Sequence, residues 1–177
     1  MSSASPATSS TGYRRDVRWE EFIGSCPEIG ALAEERFRKD ELALLGTVRP
    51  DGSPRISPCE VDLAAGRLLL GMMWRSQKAL DLLRDPRIAV HSVPSDKINP
   101  AGDVKLHGLA VDEQDPDVRT AFLGAIRRRI DWAPDEPNYH LFSLDVRRAG
   151  FLSFGGGNER ALAWDEARGF RDVPHPG

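Results

Sequence analysis

Cysteine is scarce in this 177-residue chain: there are two, Cys26 and Cys59, and no C-x-x-C pair. A disulfide framework is thereby excluded, and a zinc site lacks its usual ligand spacing. Lysine is scarce as well. Lys39, Lys78, Lys97 and Lys105 are the only lysines among 24 basic residues, a bias that points to a GC-rich genome. No apolar run approaches the roughly 18 residues that a membrane span needs. The opening "MSSASPATSSTG" has no apolar segment of the signal-peptide kind and reads as a disordered tail. The formal net charge of -3 carries no general electrostatic footprint of a nucleic-acid binder. With 40% hydrophobic and 29% charged residues, the expectation is one soluble, cytoplasmic domain large enough to bury a core.

What is present is a chain of short strands. Residues 19–39 carry helical spacing through Phe22, Ile23, Ile29, Leu32, Ala33, Arg36 and Phe37, with Pro27 interrupting. "LALLGTV" (42–48), "RISPCEV" (55–61) and "RLLLGMM" (67–73) then read as three successive antiparallel strands. Pro50-Asp51-Gly52 marks the first hairpin, and Pro58 implies a bulge or an edge position. "SQKALDLLRD" opens with Ser76 as a candidate N-cap, with Ala79, Leu80 and Leu83 on one face and Asp85-Pro86 ending the helix. "RIAVHSV" (87–93), "VKLHGLAVD" (104–112) and "YHLFSLDVRR" (139–148) are three more strands, with a loop over 94–103 and a helix from Asp115-Pro116 to about Ile130. "GFLSFG" and "RALAW" follow; "DVPHPG" reads as unstructured. Hairpins with few helices indicate a mainly β protein, a closed antiparallel barrel with peripheral helices.

The chemistry is concentrated at one helix start. Arg75 and Lys78 flank it, although the macrodipole there favours anions. An external anion would resolve the conflict, since free N–H groups at Ser76, Gln77 and Lys78 suit a phosphate. Arg55 and Ser57, two apart on one strand, share a face and offer a guanidinium beside a hydroxyl. On this reading the replacement of Arg55 weakens binding and leaves the fold intact. The plain alternative is solvated cations and an ordinary strand edge. Met72, Met73 and Trp74 end a strand just before this helix and suit either core or a flat aromatic ligand. The four histidines have no ligand spacing, so no metal is expected. Cys59 has no evident base partner and reads as a buried thiol. The glycines of "FGGGNER" read as a turn, and "IRRRI" (126–130) as one polar helix face.

The run "LALLGTVRPDGSPRISPCEV…GRLLLGMM…SQKALDLLRDPRIAV" resembles the pyridoxamine-phosphate-oxidase-like split-barrel flavoproteins. The match is good over 42–93 and extends to "VKLHGLAVDEQDP". The resemblance implies a six-stranded antiparallel split β-barrel over residues 19–170, between tails at 1–18 and 171–177. It implies a homodimer with cofactor sites along the subunit interface and a small-molecule substrate. Carried over, Arg55, Ser57, Ser76, Gln77 and Lys78 hold the cofactor phosphate, while Met72, Met73 and Trp74 line the ring system. The cofactor implied is FMN, with the deazaflavin F420 as alternative, and the activity is hydride transfer. A non-catalytic flavin or tetrapyrrole carrier is the other reading. "DEARGFRDVPHPG" lacks the Arg-Leu-x-Pro signature of true pyridoxamine phosphate oxidases, and His107 stands where many relatives carry arginine. No residue is assigned as general acid or base.

Overall fold

The computed structural model describes residues 19–94, 101–155 and 159–174. Helices α1 (Trp19–Ser25) and α2 (Pro27–Asp40) lead into strands β1 (Leu42–Val48), β2 (Pro54–Ala64) and β3 (Arg67–Met73). Helix α3 (Gln77–Arg84) connects to β4 (Arg87–Ser92) and β5 (Asp103–Asp112). Helix α4 (Pro116–Ile130) precedes the long β6 (Tyr139–Ser153), after which come β7 (Arg160–Asp165) and β8 (Gly169–Asp172).

Local chemistry accounts for the joints. At the first hairpin, Asp51 accepts from the Ser53 backbone N–H at 2.9 Å and from its hydroxyl at 2.7 Å, while Gly52 takes a φ of 84°. Asp115 caps α4 by accepting from the Asp117 N–H at 2.9 Å, and Pro116 occupies the first turn, where no donor is lost.

Six strands close a barrel in the order β1-β2-β3-β6-β5-β4, with β4 pairing back to β1, every pair antiparallel. Strand β6 makes this possible by serving two neighbourhoods. Its first residues, Tyr139 to Ser143, pair with β3, and its last, Arg148 to Ser153, pair with β7. Strands β7 and β8 therefore extend the sheet beyond the barrel. The expected six-stranded split barrel is the fold observed.

The period-2 pattern turns one face of each strand inward. Leu45, Val61, Leu68, Leu70, Val90, Leu106, Leu144 and Val146 form one buried cluster with Trp19, Phe22, Ile29 and Phe37 of the first two helices. Each such side chain, fully buried, contributes about 1.5–3 kcal/mol. Strand β3 is buried on both faces, which is why "RLLLGMM" is unbroken in its apolar run. Leu69 points outward into a second cluster with Val118, Phe122, Ile126, Tyr139 and Leu141, and this cluster seats α4 on the barrel. No described helix is long and apolar enough to cross a membrane.

Three sequence expectations are corrected. Strand β8 carries the ordered sheet past residue 170, where the domain was closed, and Val173 N–H still donates to Ala161 at 2.8 Å; a four-residue strand carries too little apolar pattern to be read. The buried residues of α3 are Ala79, Asp81 and Leu82, whereas Leu83 is exposed, because a buried carboxylate rather than a third apolar side chain sets the helix rotation. Arg129 in "IRRRI" is no solvated cation. It reaches Glu60 at 3.0 Å, Asp62 at 3.5 Å and Glu41 at 3.6 Å, tying α4 to β2. The expected N-terminal tail, residues 95–100 of the expected loop, 156–158 of the glycine turn and the last three residues lie outside the described residues.

Opposite Gly108 the β5–β6 register shifts by one residue, a bulge that bends the long strand. A Cβ at Gly108 would sit 1.8 Å from the Asp145 carbonyl oxygen. Gly108→Ala is expected to lower stability by about 1–3 kcal/mol, the range for overpacking. Urea unfolding measures this as a lower midpoint at constant slope; an unchanged midpoint would contradict the reading.

Candidate functional site

Strand β2 pairs with β1 over Pro54 to Glu60 and meets β3 only from Glu60 onward. Residues 54–59 therefore form a half-open edge, and Pro58 lies within it, as its missing N–H requires. Helix α3 runs alongside. Lys78 Nζ donates to the Pro58 carbonyl, Asp81 meets Arg55, and Arg84 donates to the Val48 carbonyl. These three contacts fix the helix against the strand edge.

Asp81 is the most constrained of the three, being 2% exposed. Its Oδ2 accepts from Arg55 Nε at 2.7 Å and from Thr47 Oγ1 at 2.9 Å, and Arg84 Nη1 lies 3.4 Å from Oδ1. Thr47 and Arg55 are direct cross-strand partners, so β1 and β2 present both donors together. Burial pushes the Asp81 carboxyl up, but the bonds from Arg55 and Thr47 outweigh it and hold the group below its ordinary range.

The start of α3 matches the electrostatic puzzle read from the sequence. Its first turn carries no acidic residue, and Arg75 adopts a left-handed φ of 54°. Ser76 occupies the N-cap position, yet its hydroxyl makes no cap bond and is buried without a partner among the described residues. That departs from the expected cap and leaves a buried hydroxyl available beside free helix N–H groups.

On the outer face of the barrel lies a groove of about 650 Å³. Leu42, Glu60 and Gly71 are successive cross-strand partners, Met73 lies two residues beyond Gly71 on β3 and pairs with Tyr139, and these five form its floor. Phe122 and Ile126 of α4, with Trp132, Pro134 and Asn138, make one wall; Trp74 and Lys78 make the other. Gly71 is required here, since a Cβ would fall 2.3 Å from the Phe122 ring. Trp74 is half-exposed and stacks on His140, with centroids 4.6 Å apart and planes 9° from parallel. Burial lowers the His140 pKa, so its ring is neutral near pH 7, and its Nε2 is buried without a partner. Cys59 lies at the groove but is buried, and burial pushes its thiol up to about 12, so it is no nucleophile at neutral pH. Among the described residues no three His, Cys, Asp or Glu side chains converge on a metal site.

The structure divides the eight sequence candidates. Lys78, Met73 and Trp74 line the groove, and Met72 reaches it while remaining in the core. Arg55 and Ser57 are half-buried on the other face of β2, while the alternating Ile56 and Pro58 are exposed. Ser76 and Gln77 sit at the α3 start. Arg55 is not the free cation expected, because Asp81 already holds it. Removing it would leave the buried Asp81 carboxylate with only Thr47 and the longer Arg84 contact, so the expectation that the fold is indifferent to Arg55 is corrected; losing a hydrogen bond to such a charged group costs about 1.5–3 kcal/mol. Sequence reasoning missed Asp81, His140, Phe122, Tyr139 and Trp132. Asp81 carried a signal, an acid between apolar residues Leu80 and Leu82, whereas the others reach the groove through long-range pairing.

The family model described as pyridoxamine 5'-phosphate oxidase matches residues 30–153. The chain belongs to that family. Solved structures with the same fold include a pyridoxamine 5'-phosphate oxidase-related, FMN-binding protein from Nostoc punctiforme, 18% identical with a TM-score of 0.62. That match covers 82% of this chain and 95% of the other. A haem-binding protein from Mycobacterium smegmatis is 22% identical over 74% of this chain, with a TM-score of 0.54, and the match spans 57% of its length. PhzG from Burkholderia lata, solved with tetrahydrophenazine-1-carboxylic acid, is 12% identical over 89% of this chain and 93% of its own, with a TM-score of 0.58. A search of curated protein sequences finds no match.

Asp62, beside the groove residue Glu60, tests the α4 anchor. Burial pushes its carboxyl up to about 6 against the pull of Arg129, and Glu41 and Glu60 add to the rise. Its unfolded value is 3.8, so its stabilising contribution is complete below about pH 4 and is lost as pH rises through about 6. Asp62→Asn is expected to raise the Tm at about pH 7.5 and to do little at about pH 4. A gain of equal size at both pH values would contradict the shift.

Proposed function

We propose that the groove and the α3 start together bind a phosphorylated flavin, FMN, and that the protein is an oxidoreductase acting on a small organic substrate. Support comes from the family, from the FMN-binding relative in Nostoc punctiforme, and from the chemistry of this site. The observation that carries the reading is the conjunction at one helix start of an acid-free first turn, the cation Lys78 within it and the unpartnered Ser76 hydroxyl, with Arg55 held one turn further along the same helix by Asp81. A phosphate monoester supplies the missing negative charge and an acceptor for that hydroxyl. The groove, predominantly apolar with Trp74, Met73 and Phe122, suits a flat ring system, and its volume lies within the roughly 300–1,000 Å³ of small-molecule sites.

When bound, the flavin supplies the hydride chemistry. The work of this chain is different. Lys78, Arg55, Ser76 and Gln77 hold the phosphate end, Met72, Met73 and Trp74 border the ring, and α4 keeps water from one side. His140 fixes the Trp74 plane by stacking. The deazaflavin F420 carries a phosphate of its own and is the alternative cofactor. The haem-binding relative favours a tetrapyrrole carrier as the second reading.

The half-open edge of β2 bears on assembly. Ile56 is 77% exposed on it and Met73 is 78% exposed at the groove rim, too much apolar surface in one region to be left in water without purpose. A second copy of the chain covers this face in the proposed homodimer, and the cofactor lies along that interface.

Fluorescence titration of the purified protein with FMN, and separately with F420, is expected to show saturable binding of FMN. Lys78→Ala should weaken it by about 1.5–3 kcal/mol, the range for a charge-assisted bond, and unaltered affinity would remove Lys78 from the site. Saturable binding of haem in place of either flavin would favour the carrier. Ile56→Asp is expected to shift the protein from dimer to monomer in sedimentation velocity and to abolish cofactor binding with it; an unshifted dimer would locate the interface elsewhere.

A further inference from the structure

We infer that Asp81 is a positioning residue: it grips Arg55 by Nε and so presents the terminal guanidinium edge, Nη1 and Nη2, to the oxyanion of a phosphate monoester. The inference rests on the phosphate reading above and concerns how that site is built.

A guanidinium has several donor edges. Asp81 takes one through Nε at 2.7 Å, and the two terminal nitrogens have no partner among the described residues. That remaining edge is the one that engages a phosphate with two parallel bonds. The Arg55 side chain is 21% exposed, so the guanidinium is not sealed in the interior.

Asp81 is itself held rigidly. Thr47 donates to the same oxygen that Arg55 uses, at 2.9 Å, and Arg84 approaches the other oxygen. Thr47 and Asp81 are both 2% exposed. A flexible arginine side chain is thereby given one orientation before any ligand arrives, which lowers the ordering cost of binding. A surface arginine without this partner would lose that cost again at each binding event.

An asparagine at 81 keeps the shape and presents one carbonyl oxygen in place of two carboxylate oxygens. Its amide nitrogen must then face one of the cationic donors, so Arg55 or Arg84 is turned away. Removal of the charge also acts in the opposite sense, since a nearby carboxylate repels phosphate. The two effects predict opposite outcomes, and the positioning role predicts loss.

The test compares FMN with riboflavin, which carries the same ring and no phosphate, in fluorescence titrations of the full chain. Wild type is expected to bind FMN more tightly than riboflavin. Asp81→Asn should lower FMN affinity at least fivefold and leave riboflavin affinity unchanged, which a general structural defect would not do. Thr47→Val, which removes the second donor while keeping a similar shape, should move the FMN value in the same direction by less. Equal losses for both ligands would overturn the inference, because Asp81 would then act only on the fold. Unchanged or tighter FMN binding in Asp81→Asn would overturn it as well, because the carboxylate would then be a competing anion. If wild type itself fails to separate FMN from riboflavin, the phosphate reading fails and this inference falls with it. A wild-type gap that Asp81→Asn retains defeats the inference alone.

Discussion

The pairing of β3 with β6 is the constraint on which everything else rests. Leu69 to Met73 meet Ser143 to Tyr139 across some seventy residues of intervening chain. This ladder closes the barrel, so that Leu68 and Leu70 find an interior and Leu69 is left facing outward. It also brings Tyr139 beside Met73 and His140 beside Met72. Without that closure α4 has no apolar floor to sit on, and the groove has no second wall. The closure is dear in chain entropy, since a long loop must be ordered before the contacts form. Burial on both faces of β3 offsets that cost.

Electrostatics then organises the edge that closure leaves open. Beyond Glu60 toward its start, β2 lacks a partner on one side, and α3 lies there instead of a strand. Polar contacts join the core packing of Ala79 and Leu82 in holding the helix in place: Lys78 on Pro58, Asp81 on Arg55 and Thr47, Arg84 on Val48. Helix and edge thus form one charged unit, in which cations outnumber the single buried carboxylate. The same unit borders the apolar groove through Lys78 and Trp74. A charged helix and strand edge bordering a flat apolar groove is the physical pattern that the proposed flavin phosphate would match.

Arg129 does on the far side of the groove what Asp81 does on the near side. One guanidinium among Glu41, Glu60 and Asp62 ties α4 to β2. In both cases a single charged group serves several partners, which spreads its desolvation cost over several bonds. The two clusters lie on the two helices that border the groove, so ion pairs as well as apolar packing seat both helices on the barrel.

Much of this was legible in the chain itself. Alternation along residues 42–48, 67–73, 87–93 and 104–112, the Pro-Asp-Gly turn and the Asp115-Pro116 helix start are local signals, and each element formed where its pattern lay. The resemblance to split-barrel flavoproteins pointed to Arg55, Ser57 and 76–78 as one phosphate site; the structure adds that Asp81 holds Arg55 and that Lys78 borders the groove. What lay beyond reach was every consequence of side chains meeting across the fold. Local pattern cannot tell that Asp81 would be buried against Arg55, that Leu83 would face water, or that Trp74 would stack on His140. The sequence by itself determined the strands, the turns and the residue types available for chemistry, because those depend on neighbours within a few positions. Tertiary structure alone decided which cations were already neutralised, which hydroxyl was left unpaired and where the groove opened, because burial and charge pairing depend on distant residues brought together only when β3 and β6 meet.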